Sequence, residues 1–230
     1  MSKPKPVYLL AGRWGKNPDP VIARVIKESD IEKPSIAYIG ASSGDNKDFF
    51  KRMESYFESA GSGNITLAPT VDPKSDINKS KKILESADII FVSGGDVEVG
   101  MNILQQRNLV DFVKELYLEG KPFFAVSAGS IMLAQEWVRW RNPNDEATAE
   151  IFPCIDVAPV ICDTHGEADN WEELIALLQQ EKTGTIGYGI VSGNAIKVHP
   201  DRKVEAISGP INRYLRGKST VEKLPDLFPG

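Results

Sequence analysis

The chain has 230 residues, of which 41% are hydrophobic and 26% are charged. These proportions are those of an ordinary globular protein and exclude a disordered, fibrous or low-complexity chain, and the length predicts a single domain over residues 1–230. Lys and Arg number 27 against 32 Asp and Glu, giving a net charge of −5, which excludes the strongly basic surface that nucleic-acid partners require.

The first 126 residues alternate short apolar runs with amphipathic stretches. Apolar runs predict strands at residues 7–11, 35–39, 64–68, 87–92 and 123–126. Apolar residues at helical spacing predict helices at residues 21–26, 49–57, 77–86 and 102–118. Strands that are apolar throughout and alternate with amphipathic helices are typical of a mainly parallel sheet covered on both faces. The predicted fold class is therefore α/β, a three-layer α/β/α sandwich.

The second half of the chain has a less regular pattern. Residues 137–150 are rich in Arg, Asn, Asp and Glu and contain Pro143, which predicts an exposed loop or insertion. A strand is predicted at residues 157–162 and a helix at residues 170–180. Short strands, expected to be antiparallel, follow at residues 189–191, 194–199 and 203–207, and residues 225–230 are predicted to form a tail.

The most informative segment is an apolar strand that turns through small residues directly into a helix, Val126-Ser127-Ala128-Gly129-Ser130. A nucleophile elbow needs small neighbours because its sharp strand-to-helix turn is crowded and exposes the hydroxyl at its tip. Ser127 is thus a candidate nucleophile, and the N–H of Ala128 is a candidate donor to an oxyanion. A helix that merely packs closely on a sheet would show the same small residues, so this pattern alone leaves both interpretations open.

A second turn rich in glycine follows the strand predicted at residues 87–92. In Ser93-Gly94-Gly95-Asp96 the backbone can approach a ligand closely and offer a second N–H. The segment lacks the glycine spacing and the Lys of a phosphate-binding loop. We predict substrate contacts at Gly94 and Asp96 and a second N–H for an oxyanion from this glycine pair.

The candidates for a general base are the two histidines, His165 and His199. His165 follows the strand predicted at residues 157–162. In a parallel sheet that strand would deliver His165 to the carboxyl edge, where Ser127 and Gly94 also emerge. His199 precedes Pro200 in a predicted hairpin, which is typical of an exposed turn residue, so His165 is the predicted base.

In order and spacing, four segments resemble the motifs of the peptidase E and cyanophycinase family of serine hydrolases: Gly94-Gly95-Asp96, Val126-Ser127-Ala128-Gly129-Ser130, Asp163-Thr164-His165 and residues 187–196. The resemblance implies a fold like that of the class I glutamine amidotransferases, with Ser in place of their nucleophilic Cys. It also implies Ser127 as nucleophile, His165 as general base, and the amides of Gly95 and Ala128 as the oxyanion hole. No cofactor is expected.

One position departs from the pattern of that family. Its members usually supply a Glu or another acid that orients the His, and the matching residue here is Ser192. Such an acid fixes the imidazole tautomer, and replacing it in another triad lowered kcat about 10⁴-fold. Either a nearby carboxylate of Asp163, Glu167 or Asp169 takes its place, or activity is weak or absent.

Aromatic and basic residues in the second half could form a substrate pocket or cap the edge of the core; they are Trp137, Trp140, Trp171, Arg139 and Arg141. Family peptidases that act on aspartyl dipeptides would need a cation there, which makes Arg139 or Arg141 a candidate for binding a substrate carboxylate. The apolar stripe at residues 49–57 is predicted to be core or, as the alternative, the interface of a homodimer.

Cys154 and Cys162 are the two cysteines, and no apolar run reaches the roughly 18 residues that a membrane span needs. We expect no secretory signal at the amino end. We therefore expect reduced thiols, a cytoplasmic protein and no membrane association. Cys162 and His165 are three residues apart, but a metal site needs about four ligands, so no metal is predicted. Cys162 is predicted to be core.

Two functions remain open at this point. The first is a serine peptidase that cleaves an amide bond in a small or acidic peptide, with Ser127 acylated and His165 shuttling the proton. The second is a catalytically impaired homologue that acts as a ligand-binding or regulatory protein, as Ser192 indicates. An amidotransferase subunit is disfavoured because the elbow carries no thiol.

Overall fold

A computed structural model describes residues 3–12, 20–142 and 145–230. The strands in these ranges are β1 (Val7–Leu10), β2 (Ile36–Ile39), β3 (Ile65–Ala68), β4 (Ile89–Val92), β5 (Phe123–Val126), β6 (Glu136–Trp140), β7 (Ala149–Pro153), β8 (Ile161–Thr164), β9 (Ile186–Ile190), β10 (Ala195–Val198), β11 (Val204–Ala206), β12 (Ile211–Arg216) and β13 (Val221–Leu227). The helices are α1 (Pro20–Glu28), α2 (Lys47–Ser59), α3 (Ile77–Ser86), α4 (Val97–Gln106), α5 (Val110–Leu118), α6 (Ala128–Leu133) and α7 (Glu172–Gln180). No helix in this part of the chain is long and apolar enough to cross a bilayer.

The central sheet has seven strands in the order β11-β10-β1-β5-β4-β2-β3. The five strands from β1 to β3 in that order are parallel, and β10 and β11 add an antiparallel pair at the β1 side. β5, which leads to Ser127, is the middle strand. The mainly parallel central sheet predicted from the apolar runs is confirmed.

Alternate residues of each central strand face opposite sides of the sheet, so both faces are apolar. In β1, Val7 and Leu9 join one buried cluster, and Tyr8 and Leu10 join the other. The helices α3, α4, α5 and α6 pack on the first face, and α1 and α2 pack on the second. This arrangement confirms the three-layer α/β/α sandwich.

The predicted apolar stripe on α2 contributes core residues to the second face. Met53 and Phe57 are fully buried, and the Phe57 ring centroid lies 4.8 Å from that of Phe91 and 5.4 Å from that of Phe124. Burying a side chain of this size contributes about 1.5–3 kcal/mol. These contacts hold α2 against the second face of the central sheet.

The single helix predicted at residues 102–118 is wrong, because two helices, α4 and α5, occupy this region. The break lies at Asn108, whose φ of +52° is left-handed, a conformation that Asn tolerates better than most residues. Leu109 and Val113 lie on the same face as Leu104. Both helices therefore continue one apolar pattern across the break, which is why the sequence reads as one helix.

The loop predicted from the charged residues at 137–150 is wrong. β6 and β7 form an antiparallel hairpin here, in which Arg139 pairs with Glu150 across the strands. Pro143, which supported the loop, lies outside the described residues. The predicted tail is also wrong in part, because Pro225 lies within β13, an edge strand, where its missing N–H costs no ladder bond.

The strand before His165 does not belong to the central sheet, contrary to the prediction. β8 begins at Ile161 rather than at residue 157 and lies in a second sheet of order β13-β12-β9-β8. Within it β9 runs parallel to β8 and antiparallel to β12, so the expectation that β9 is only antiparallel is corrected. Trp171, Leu174 and Leu178 cover this sheet in a third buried cluster.

A buried serine fastens α6 to the central sheet. The Ser130 Oγ accepts a hydrogen bond from the Leu10 N–H at 3.0 Å and donates one to the Leu10 carbonyl at 2.9 Å. Ser130 is fully buried, so loss of its hydroxyl removes two hydrogen bonds at a place where water does not replace them. The sequence named Ser130 only as a small residue of the turn.

We expect Ser130→Ala to lower the free energy of unfolding by about 1–3 kcal/mol, because two buried hydrogen bonds to Leu10 are lost. Urea denaturation of the two proteins measures the difference. Ser55→Ala is the control, since the Ser55 hydroxyl caps an exposed carbonyl on α2, and should change stability by less than about 0.5 kcal/mol. Equal effects of the two substitutions would contradict the assigned role of Ser130.

Candidate active site

Ser127 lies at the turn between β5 and α6 in an unusual backbone conformation. Its φ is +53° and its ψ is −129°, a strained combination for a residue with a side chain. The Ser127 N–H donates to the Leu10 carbonyl at 2.8 Å, and the side chain is partly exposed. The packing around the turn therefore holds a strained serine at the carboxyl edge of the central sheet.

Glycines next to this turn are required by close backbone contacts. A Cβ on Gly94 would lie 3.1 Å from the Ser127 Cβ. A Cβ on Gly129 would lie 2.3 Å from the Val92 carbonyl oxygen. The small residues that the sequence shows after β4 and β5 thus allow α6 to approach β4 closely.

The second glycine-rich turn is held in place by Ser42. The Ser42 hydroxyl donates to the Ser93 carbonyl at 2.7 Å, and the Asp96 N–H donates to the Ser42 carbonyl at 2.9 Å. Gly95 has a φ of +151°, and a Cβ there would lie 2.0 Å from the Ser42 carbonyl oxygen. Nothing in the sequence pattern points to Ser42, because it lies about 50 residues before the turn that it holds.

A cavity of about 400 Å³ opens beside Ser127. Its lining residues are Ser43, Asn46, Phe49, Arg52, Gly94, Gly95 and Ser127. The N–H groups of Gly95 and Ala128 have no protein acceptor within the described ranges. Two larger clefts, of about 490 and 740 Å³, contain neither Ser127 nor His165.

His165 lies at the same edge of the molecule, but it follows a strand of the second sheet rather than a strand of the central sheet, as the sequence had predicted. It follows β8 of the second sheet, with its N–H donating to the Ile190 carbonyl at 3.3 Å. The loop after β9 then bonds to the end of β1, with the Ala11 N–H donating to Asn194 and the Gly193 N–H donating to Gly12. Since β1 neighbours β5, this loop joins the surroundings of His165 to those of Ser127.

The imidazole of His165 contacts the loop residue Ser192. His165 Nδ1 lies 2.9 Å from Ser192 Oγ, and the Ser192 N–H donates to Glu167 Oε1 at 3.1 Å. Burial raises the pKa of Glu167, but hydrogen bonds from the side chain and the N–H of Ser192, with the nearby His165 charge, outweigh it and leave that pKa below its ordinary value. His165, Ser192 and Glu167 are all exposed.

The other two candidate acids have different contacts. Asp163 is 6% exposed and accepts the Thr164 N–H at 2.6 Å. Burial, and then the charge of Glu173, raises the pKa of Asp163 to about 7. Asp169 accepts the Trp171 N–H at 3.0 Å. Of the three acids, Glu167 is the one connected to the imidazole through a hydrogen-bonded neighbour.

The charged residues predicted to bind substrate, Asp96 and Arg139, make structural contacts in the absence of substrate. Asp96 caps α4, its Oδ1 accepting the Val99 N–H at 2.8 Å. Arg139 donates to Glu98 at 2.9 Å and to Glu150 at 2.8 Å, so its charge is already neutralised. The basic residue that lines the cavity is Arg52.

The remaining predicted side chains have structural positions. Trp171 is buried and donates to Asn212, and Trp137 donates to Glu173. Burial raises the pKa of the Cys162 thiol well above its ordinary value, so the prediction that Cys162 is core is confirmed. His199 lies 3.2 Å from Glu205 in the hairpin of β10 and β11.

Solved structures of two bacterial proteins share this fold. A peptidase from an acI-B1 Actinobacterium superposes with a TM-score of 0.72 at 13% identity, covering 98% of this chain and 97% of that one. A candidate peptidase E from Listeria monocytogenes EGD-e superposes with a TM-score of 0.62 at 14% identity, covering 89% of this chain and 98% of the other. At these identities the likeness concerns the fold.

Sequence comparison gives the family. An uncharacterized peptidase of Bacillus subtilis (strain 168), YgaJ, is 24% identical over 114 residues, which are 50% of this chain and 48% of that protein. The sequence profile of peptidase family S51 matches residues 12–206. That match includes both glycine-rich turns, Ser127, His165 and Ser192, and therefore the chain belongs to peptidase family S51.

Proposed function

We propose that this protein is a serine peptidase that cleaves short peptides through acylation of Ser127. The observation that carries the proposal is the strained strand-to-helix turn at Ser127, a residue that lines a cavity and neighbours two N–H groups that have no acceptor among the described residues. We interpret this turn as a nucleophile elbow and the two N–H groups as its oxyanion hole. Membership of a peptidase family supports the same chemistry.

In the proposed reaction, Ser127 Oγ attacks the scissile carbonyl carbon while its proton passes to His165 Nε2. The oxyanion that forms accepts hydrogen bonds from the N–H groups of Gly95 and Ala128, each worth roughly 3 kcal/mol of barrier. Protonated His165 then gives its proton to the leaving amine, and the C–N bond breaks. Water, deprotonated by the same imidazole, hydrolyses the acyl-enzyme and regenerates Ser127.

Within the described residues Ser127 Oγ has no hydrogen bond to His165. Catalytic hydrogen bonds are commonly long in unliganded enzymes and tighten when substrate binds. The support for pairing these side chains is topological: the loop that contacts His165 is bonded to the end of β1, the strand next to β5.

The cavity supports a small substrate with a carboxylate near the scissile bond. A volume of about 400 Å³ is at the small end of ligand sites and fits a side chain and one adjoining peptide unit. Arg52 has no carboxylate partner within the described residues, and its guanidinium carbon lies 5.6 Å from the centroid of the Phe49 ring. We propose that Arg52 binds the substrate carboxylate, the role that the sequence suggested for Arg139.

Labelling with a fluorophosphonate probe tests the nucleophile. We expect an adduct on Ser127 of the parent protein, identified by peptide mass spectrometry, and none in Ser127→Ala. Ser43→Ala is the matched control, because Ser43 lines the same cavity but its hydroxyl donates to the Gly40 carbonyl. It should label as the parent does.

Absence of an adduct in the folded parent protein would contradict the peptidase proposal. It would favour the second function, a member of the family that binds ligand without turnover, for which Ser192 in place of an acid is the supporting observation. Binding of a short acidic peptide without product formation would then be the expected behaviour.

Arg52→Gln tests the substrate class. Loss of a charged hydrogen bond worth about 1.5–3 kcal/mol should raise KM for a short peptide with a carboxylate side chain roughly 10- to 100-fold, with kcat changed by less than about threefold. The same peptide with an amide side chain should show no such change. Lys51→Gln, on the next residue of α2 but outside the cavity lining, is the control, and equal effects of both variants would contradict the role of Arg52.

A further inference from the structure

We propose that Ser42 is a positioning residue for the oxyanion hole, because its hydroxyl fixes the orientation of the peptide unit that carries the Gly95 N–H. The inference rests on the proposed function, which gives this N–H the role of an oxyanion donor. Ser42 lies in a short 3₁₀ helix (Ala41–Ser43) after β2, and it is 5% exposed. It is not among the residues that line the cavity, so it acts through the Gly94–Gly95 turn.

One peptide unit joins the Gly94 carbonyl to the Gly95 N–H. In a trans peptide these two groups point in opposite directions, and no peptide bond in the described residues is cis. The Ser42 hydroxyl donates to the Gly94 carbonyl oxygen at 3.0 Å. A donor that holds the carbonyl thus turns the N–H of the same unit away from Ser42, toward the side on which Gly95 lines the cavity.

Ser42 also holds the turn on both sides of this peptide unit. Before the unit, the Ser42 hydroxyl donates to the Ser93 carbonyl at 2.7 Å, so its single proton is shared between two carbonyls. After the unit, the Ser42 carbonyl oxygen accepts the Asp96 N–H at 2.9 Å. The same oxygen would lie 2.0 Å from a Cβ on Gly95, so the backbones of Ser42 and Gly95 are in direct contact.

The turn needs such a restraint because its peptide unit lies between two glycines. A Cβ on Gly94 would lie 3.1 Å from the Ser127 Cβ, and Gly95 has a φ of +151°, so both positions favour glycine. Glycine also leaves φ and ψ free to change. Rotation of the unit would direct the Gly94 carbonyl, instead of the Gly95 N–H, toward the cavity, where its oxygen would repel an oxyanion. The hydrogen bond from the Ser42 hydroxyl opposes this rotation.

Ser93 carries a second hydroxyl near the same carbonyl. The Ser93 Oγ lies 3.3 Å from the Gly94 carbonyl oxygen, which is long for a hydrogen bond between two oxygens. Ser93 belongs to the turn itself, so its hydroxyl moves with the turn. Ser42 follows a different strand, and its shorter hydrogen bond ties the turn to a fixed part of the molecule.

Labelling kinetics with the fluorophosphonate probe separate the orientation of the peptide from the binding of the probe. Attack of Ser127 Oγ on phosphorus expels fluoride and places the phosphoryl oxygen at the oxyanion position. We expect Ser42→Ala to lower the maximal labelling rate about 10- to 100-fold, because rotated molecules lack one oxyanion donor. The probe concentration that gives half of the maximal rate should change by less than about threefold, since Ser42 lies outside the cavity.

Ser80→Ala is the matched control. Ser80 is also fully buried, and its hydroxyl donates to the Pro69 carbonyl at 2.6 Å, but it does not line the cavity. This variant should lose thermal stability, as Ser42→Ala does, and should label at the rate of the parent protein. A parental labelling rate in Ser42→Ala, or an equal slowing in Ser80→Ala, overturns the inference.

Ser42→Cys provides a second variant if the alanine protein does not fold. A thiol is close in size to the hydroxyl but is a weaker donor, so the maximal labelling rate should fall below that of the parent while remaining above that of any folded Ser42→Ala. A rate equal to that of the parent overturns the inference.

Crystal structures of the unliganded proteins test the orientation without any reaction. In the parent the Gly94 carbonyl should face Ser42. In Ser42→Ala, or in Ser42→Cys if that is the variant that folds, we expect this carbonyl to face the cavity in some or all of the molecules. A variant in which the peptide keeps only the parental orientation contradicts the role of Ser42.

The two proposals fail separately. A parent protein that is not labelled at Ser127 contradicts the peptidase function, while the crystal structures still decide whether Ser42 fixes the peptide. A parent that labels at Ser127, with Ser42→Ala labelled at the same rate, retains the peptidase function and loses the role of Ser42.

Discussion

The close contact between α6 and the carboxyl ends of β4 and β5 is the constraint on which the rest of this site depends. The Gly129 position leaves no room for a Cβ against Val92, and the buried Ser130 hydroxyl bonds to both backbone groups of Leu10. Together these contacts fix the start of α6 and impose the strained φ and ψ of Ser127. Backbone strain of about 1–3 kcal/mol persists only where surrounding packing determines it, and here the residues of α6 are all buried.

The second sheet has the complementary task of presenting the imidazole. One face of this sheet has its own core around Trp171, Leu174 and Leu178, whereas Cys162, Ile190 and Ile211 on the other face join the first cluster of the central sheet. The loop after β9 adds a backbone connection: it contacts His165 through Ser192 and bonds to the end of β1 through Gly193 and Asn194. This packing and these hydrogen bonds bring a serine at the edge of one sheet and a histidine at the edge of another to one region.

The sequence was sufficient for the central sheet because every signal there is local. Continuous apolar runs indicate strands buried on both faces, helical spacing indicates which face of a helix meets the core, and the small residues around Ser127 reflect a local steric limit. The sequence was insufficient where a residue depends on a distant partner. Arg139 and Arg52 are equally basic in sequence, and only the packing shows that Arg139 already pairs with two carboxylates. The hydrogen bond from Ser42 to Ser93 and the one from the Ser192 N–H to Glu167 also join residues that are distant in the sequence, so no local pattern predicts them.

Solvation distinguishes two of the candidate acids, Asp163 and Glu167. An orienting acid must be ionised at neutral pH, and burial opposes ionisation. Asp163, two residues before His165, is so buried that its pKa rises to about 7, and it is therefore partly protonated under those conditions. Glu167 is exposed; burial raises its pKa, but the contacts with Ser192 outweigh that effect and leave the pKa below its ordinary value. The Ser192 N–H anchors this ionised carboxylate at 3.1 Å, and Ser192 Oγ lies 2.9 Å from His165 Nδ1, so a solvated charge is held by the same residue that contacts the imidazole.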